Sequence, residues 1–98
     1  MFSIRWELKA IEEQNTIFDF WNKHNKSKVY SRKILKEIKL LENLLLKNPD
    51  LGTLTDFCGI RKVVILSKFS LFYSVDGQII YILSVWDNRR NPDELKFV

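Results

Sequence analysis

The chain has 98 residues, enough for one modest core and little more. Hydrophobic residues make up 46 % and charged residues 29 %, which excludes a disordered chain, and no run is long and apolar enough to span a bilayer. The single cysteine excludes an internal disulfide, while a formal charge of +4 favours a polyanionic or acidic partner such as nucleic acid, a ribonucleoprotein or an acidic protein.

The start, MFSIRWELKAIEEQ, lacks the basic stretch and small-residue cleavage site of a secretory signal, so a cytoplasmic protein is expected. Phe2 to Leu8 alternates, with Phe2, Ile4, Trp6 and Leu8 on one face, and predicts a half-buried strand ended by Lys9 and Ala10. Ala10 to His24 then changes to helical spacing, with Ala10, Gln14, Ile17, Phe18 and Trp21 on one stripe. His24-Asn25-Lys26-Ser27 breaks the pattern, and Ser27 is positioned to cap a second helix. Lys28 to Lys47 is the clearest helix. Its buried stripe is Tyr30, Ile34, Ile38, Leu41 and Leu45, widened by Leu35 and Leu44, and Asn48-Pro49 stops it. The two helices form an antiparallel hairpin.

Asp50 to Cys58 reads as the one irregular connector. Three strands come next: Arg61 to Leu66, Phe69 to Val75 and Gln78 to Trp86, with Lys68 marking one turn and Asp76-Gly77 a two-residue hairpin. The last strand is apolar on both faces and is placed centrally, paired with the first strand. The tail from Asp93 to Val98 is too short to assign. The expected fold is α+β, in the order β-α-α-β-β-β, with a helical hairpin on one face of a twisted, mainly antiparallel sheet and residues 1–98 forming one domain.

No ligand spacing supports a metal site, and no Gly-rich loop supports a nucleotide cofactor. His24 reads as a solvated turn residue and Cys58 as a small buried hydrophobe. Lys28, Arg32, Lys36 and Lys39 form a basic stripe that can track phosphates or grip an acidic partner, although a solvated helix face is the simpler reading. The sharper signal is Asp87-Asn88-Arg89-Arg90-Asn91, at the rim where the central strand releases the chain. With Arg61 and Lys68 it is a candidate cationic site for a phosphate, with Phe72, Tyr81 and Trp86 as stacking surfaces. Equally, Asp87 can pair with an arginine and simply tie down the strand exit. RNA cleavage without metal needs a positioned base, an acid and cations. Asp87 or Glu94 would be the base and Arg61, Lys68, Arg89 and Arg90 the cations, but no acid is evident.

Over essentially its whole length the sequence resembles the RelE/ParE superfamily of bacterial type II toxins. The resemblance rests on the β-α-α-β-β-β order and on RKVVILSKFSLFYSVDGQIIYILSVWDNRRNPDEL, whose pieces FYSVDGQIIYIL and VWDNRRNP are similar to the ParE-like plasmid-stabilisation branch. It implies a growth-inhibiting toxin neutralised by an acidic antitoxin that wraps the sheet and the helical hairpin. It implies one of two targets, DNA gyrase or ribosome-bound mRNA, and no cofactor. Arg61 matches the basic residue at the start of the second strand of the ribonuclease branch. The phosphate-binding Arg of that branch is Ser70 here, and Asn88 and Glu94 stand in the region of its C-terminal acid. The resemblance therefore favours a target-binding, gyrase-directed toxin over a ribosome-dependent endoribonuclease, with an inactive remnant that only binds antitoxin as a third reading. Lys28, Arg32, Lys36, Lys39, Phe72, Trp86, Arg89 and Arg90 are the expected contacts to target or antitoxin.

Overall fold

The computed structural model describes residues 1–97. The chain runs β1 (Ser3–Trp6), α1 (Leu8–Asn25), α2 (Val29–Lys47), β2 (Thr53–Leu54), β3 (Ile60–Ile65), β4 (Phe69–Asp76) and β5 (Ile79–Asp87), then a 3-10 turn at Pro92–Glu94. The strands form one sheet in the order β1-β5-β4-β3-β2. β1 is parallel to β5, as the predicted pairing of first and last strands requires, and every other pair is antiparallel. The hairpin of α1 and α2 covers one face, so the fold is α+β with a mixed sheet.

The core between the layers is made by Ala10 and Ile17 from α1, Ile34, Ile38, Leu41 and Leu45 from α2, and Phe69, Leu71, Tyr73, Ile80, Ile82 and Val85 from the sheet. Each set follows the spacing of its element: three- and four-residue steps on α2, alternate residues on β4. A bulge interrupts β5. Tyr73 faces Ile82 but Phe72 faces Ser84, so Leu83 is the extra residue, and Val85 returns to the core side.

Several expectations are corrected. The helix starts at Leu8, which is 68 % exposed, because β1 ends where the Glu7 N–H donates to Ile82 O and the Ile11 N–H already donates to Glu7 O. Leu35 and Leu44 do not widen the buried stripe of α2; they lie at its margins, where nothing covers them, and are exposed. Cys58 is exposed in the turn before β3 rather than buried. The β4–β5 hairpin turns at Gly77-Gln78, one residue later than predicted, with positive φ at Gly77 alone, as in a type II′ turn. The two-residue β2 was not anticipated; it pairs with Arg61 and Lys62.

β4 was expected to alternate, yet Phe69 through Tyr73 are all buried. The cause is the C-terminal tail. It folds over the sheet face opposite the helices, where the Phe97 ring meets Phe72 (5.1 Å between centroids) and Phe57 (4.7 Å) edge-on. Lys9 Nζ donates to Lys96 O at 2.5 Å and holds the tail to α1. Val98 lies outside the described residues.

Tyr73 fixes the connector between α2 and β2. Its hydroxyl accepts from the Gly52 N–H (2.8 Å) and donates to Pro49 O (2.8 Å), and burial raises its pKa above the ordinary tyrosine value. A Cβ on Gly52 would stand 2.8 Å from Tyr73 Cε1, so the ring and the backbone can approach this closely only at glycine. Replacing Tyr73 with Phe leaves the buried Gly52 N–H without a partner. The variant is expected to lose about 1–3 kcal/mol of stability in urea unfolding; an unchanged midpoint and slope would show that the connector does not depend on the phenol.

Candidate functional site

Four segments meet at one end of the sheet. The β3–β4 turn is made by Leu66 and Ser67, both at positive φ (53° and 60°), and delivers Lys68. The exit of β5 delivers Asp87 and Arg89. The last turns of α1 supply Phe20, Trp21 and His24, and the first turn of α2 supplies Tyr30. Trp21 is the hub. Tyr30, Phe20 and His24 lie edge-on to it at 4.7, 5.2 and 5.5 Å between centroids. Lys68 Nζ stands 5.4 Å above its ring and 5.3 Å above that of Tyr30. The Arg89 guanidinium lies 5.1 Å from the Trp21 centroid and 5.3 Å from that of Phe20. Two cations from different strands thus converge on one indole, whose Nε1 is buried without a hydrogen-bond partner among the described residues.

Asp87 holds Arg89 in a fork. Nε donates at 3.0 and 3.1 Å, Nη2 at 2.5 Å, and the Arg89 N–H adds a fourth bond at 2.9 Å. Hydrogen bonding from Arg89 keeps the Asp87 carboxyl below its ordinary pKa, despite a contrary push from burial, and the same pairing raises that of Arg89. The rest of the cluster is equally ordered. The Asn88 N–H donates to Lys68 O (2.9 Å) and its Oδ1 accepts from Ser70 Oγ (2.7 Å). The Arg90 guanidinium stacks 4.1 Å from the Trp86 centroid and meets Glu94 Oε2 at 3.3 Å. Asn91 Oδ1 accepts from the Asp93 N–H at 3.0 Å and caps the 3-10 turn.

The predicted site is therefore divided. Lys68, Asp87 and Arg89 come together around Trp21, while Arg90 stacks on Trp86 instead. Arg61 does not converge with them. It sits at the far end of β3, opposite Tyr73, where its Nη1 donates to Gly52 O (2.7 Å) and Asp50 O (3.2 Å) beside the Asp50 carboxylate. Phe72 and Trp86 cannot serve as stacking platforms, since each is 5 % exposed, beneath the tail and beneath Arg90 respectively. Lys28, just before α2, and Arg32, Lys36 and Lys39 on it are all exposed, and none of them forms an ion pair among the described residues. Glu42, three residues after Lys39 on that helix, instead accepts from Trp6 Nε1 at 3.3 Å.

The sequence pattern did not disclose the aromatic half of the site. It places Trp21 and Tyr30 on buried stripes and His24 in a loop, whereas His24 lies in the last turn of α1, stacked on Phe20 at 5.5 Å with 9° between the planes. The available signal was four rings bracketing one short interhelical turn. Among the described residues no three His, Cys, Asp or Glu side chains cluster as a metal site would require.

A family model described as the ParE toxin of the type II toxin-antitoxin system, parDE, matches residues 4–92. Among solved structures, one described as the chromosomal ParDE TA system from P. aeruginosa is similar, with a TM-score of 0.75 and 23 % identity over 89 % of this chain and 96 % of that one. At that identity the likeness bears on the fold. No curated protein matches the sequence.

The Asp87 fork makes stability depend on pH in one direction. A carboxylate whose folded pKa is depressed stabilises the fold above its unfolded pKa, and this contribution is lost as pH falls through the folded value. Thermal melts of the wild type and an Asp87→Asn variant are expected to differ most above the ordinary aspartate pKa of about 4 and to converge as the pH is lowered beneath it. A gap that does not change with pH would show that the ionised form of Asp87 is not what matters.

Proposed function

The chain belongs to the ParE toxin family of type II toxin-antitoxin systems, and on that premise we propose that it inhibits growth by binding a cellular target, DNA gyrase first, and is neutralised by a cognate antitoxin. Residues 1–98 act as one toxin domain in this reading, without a cofactor. The observation that carries it is the closed Asp87–Arg89 fork lying against Phe20 and Trp21. The fork leaves Arg89 half exposed and rigidly aimed, which suits recognition. It also occupies the carboxylate that cleavage would need as a base. The cation Arg61, which would help to hold a charged phosphorane, is engaged by the connector at the other end of β3.

Target contact is assigned to Lys68, Arg89 and the exposed Phe20. The stripe Lys28, Arg32, Lys36 and Lys39, exposed and without ion pairs among the described residues, is assigned to the acidic antitoxin. The endoribonuclease reading gains one observation of its own: His24 and Tyr30 both border Trp21, beside Lys68. Either is a candidate for the acid that the sequence did not supply.

Induced expression without antitoxin is expected to arrest growth, leave cellular mRNA uncut in primer extension and give a protein that inhibits supercoiling by purified gyrase. Changing Arg89 and Arg90 together to Ala is expected to relieve the arrest while the far-UV spectrum and a cooperative melt are retained. An unfolded double variant would make the pair structural. Codon-phased cuts abolished by His24→Ala or Tyr30→Phe would transfer the protein to the ribonuclease reading. Unaffected growth with neither signal would leave an antitoxin-binding remnant.

A further inference from the structure

The net charge of the chain is concentrated in one place. Between Asp19 and Glu37 stand six basic residues, Lys23, Lys26, Lys28, Arg32, Lys33 and Lys36, and no acid. The other ten lysines and arginines are outnumbered by the twelve acids. The excess of +4 therefore comes from the tip of the helical hairpin: the last turn of α1, the turn after it and the first half of α2. All six side chains are exposed, and none forms an ion pair among the described residues. None of them lines the groove of about 430 Å³ between α1 and the exit of β5.

Fold stability does not account for these cations. Lys28 is the N-cap of α2, and Arg32 and Lys33 follow within its first turns, where the helix dipole disfavours positive charge; the first turn holds no acid. Lys26 caps α1 in the left-handed region (φ 50°), its N–H donating to Asn22 O, a position that glycine or asparagine fills with less strain. Lys23, at the C-terminal end of α1, is the one that its helix favours. The turn itself is well tied. The Ser27 N–H donates to Asn22 O at 3.2 Å, the Val29 N–H to Ser27 Oγ at 3.2 Å, and Ser31 Oγ to Asn22 Oδ1. Like charges are thus held together on a fixed backbone, which opposes stability by self-repulsion and raises the local positive potential.

We propose that the hairpin tip docks on the phosphate backbone of duplex DNA, independently of sequence. Lys28 to Lys36 covers about 12 Å of helix, a length over which a duplex presents about seven phosphates. The neighbouring rings are engaged: Phe20 and His24 stack on each other, and Lys68 stands over Trp21 and Tyr30. The tip therefore offers cations to a backbone rather than a platform to unstacked bases. The setting rests on the function proposed above, since gyrase holds duplex DNA and a toxin that grips the enzyme meets that DNA beside it. Lys23, Lys26 and Lys33 lie outside the stripe assigned to the antitoxin, and they are the residues that test the proposal.

The experiment is fluorescence anisotropy, with the whole chain titrated onto two unrelated duplexes of about 20 base pairs. The two are expected to bind equally, and log K against log salt, between about 50 and 200 mM, is expected to slope at about −4 to −5, as for about five phosphates. The variant carrying Lys23→Gln, Lys26→Gly and Lys33→Gln is expected to bind at least about tenfold more weakly at the lower salt and to lose about three units of slope. Lys26→Gly alone, which relieves the left-handed backbone, is expected to melt no lower than the wild type while losing about one unit. Arg5→Gln, Lys47→Gln and Lys62→Gln together remove the same charge from exposed positions elsewhere and are expected to change the slope by less than about one unit. Equal losses from the two triple variants overturn the tip in favour of net charge alone. Tighter binding of a single strand of the same length overturns the duplex assignment. Duplex binding by a chain that does not inhibit purified gyrase overturns the gyrase reading and leaves the tip standing; inhibition without DNA binding does the reverse.

Discussion

β1 runs beside β5 for four residues, Ser3 to Trp6 against Ile79 to Ile82, and then leaves the sheet as α1. Because the pairing is parallel, the chain cannot return by a tight turn and must cross a face of the sheet, which the helical hairpin does. α1 is thereby laid along the second half of β5, with Ile17 above Val85, and its last turns reach the end of the sheet where β5 exits. The short reach of β1 thus has two consequences. It leaves the distal edge of β5 without a strand, and it brings Trp21 to the strand ends that carry Lys68 and Arg89.

The cluster around Trp21 is held by many small terms. Each cation–ring contact is worth about 0.5–1 kcal/mol at an exposed site. The Asp87–Arg89 pair is half exposed on its arginine side, which limits what it adds to stability. The pair gives orientation instead. Four hydrogen bonds to one carboxylate fix the guanidinium over Phe20 and Trp21, while Lys68 approaches from a turn held by two left-handed residues and by the Asn88 N–H. A flexible lysine and a fixed arginine on the same indole form a surface pre-organised on one side and adaptable on the other.

Local periodicity made part of the fold legible in the sequence. The alternation around Ser3–Trp6, the three-four spacing of Ile34, Ile38, Leu41 and Leu45, and the doubly apolar β5 each fixed an element, and the family resemblance agreed with their order. The features that escaped depend on contacts distant along the chain. β2 is two residues long and exists only through its pairing with Arg61 and Lys62. Phe72 lay on what looked like a polar face, and Phe97, 25 positions later, buries it. Arg61 and Lys68 flank one strand in sequence, but a strand separates its ends rather than joining them, so only Lys68 reaches the site. Trp21 does lie on a helical stripe; that the stripe runs on past the core, to where cations gather, was invisible without the sheet.

The two open surfaces are not independent. Phe20, Trp21, Asp87 and Arg89 belong both to the cation–aromatic cluster and to the lining of the groove beside β5. Phe97 fills the opposite face over Phe72, so the open apolar surface at this end of the sheet lies on its α1 side, where Phe20 and Trp21 meet the arginine fork.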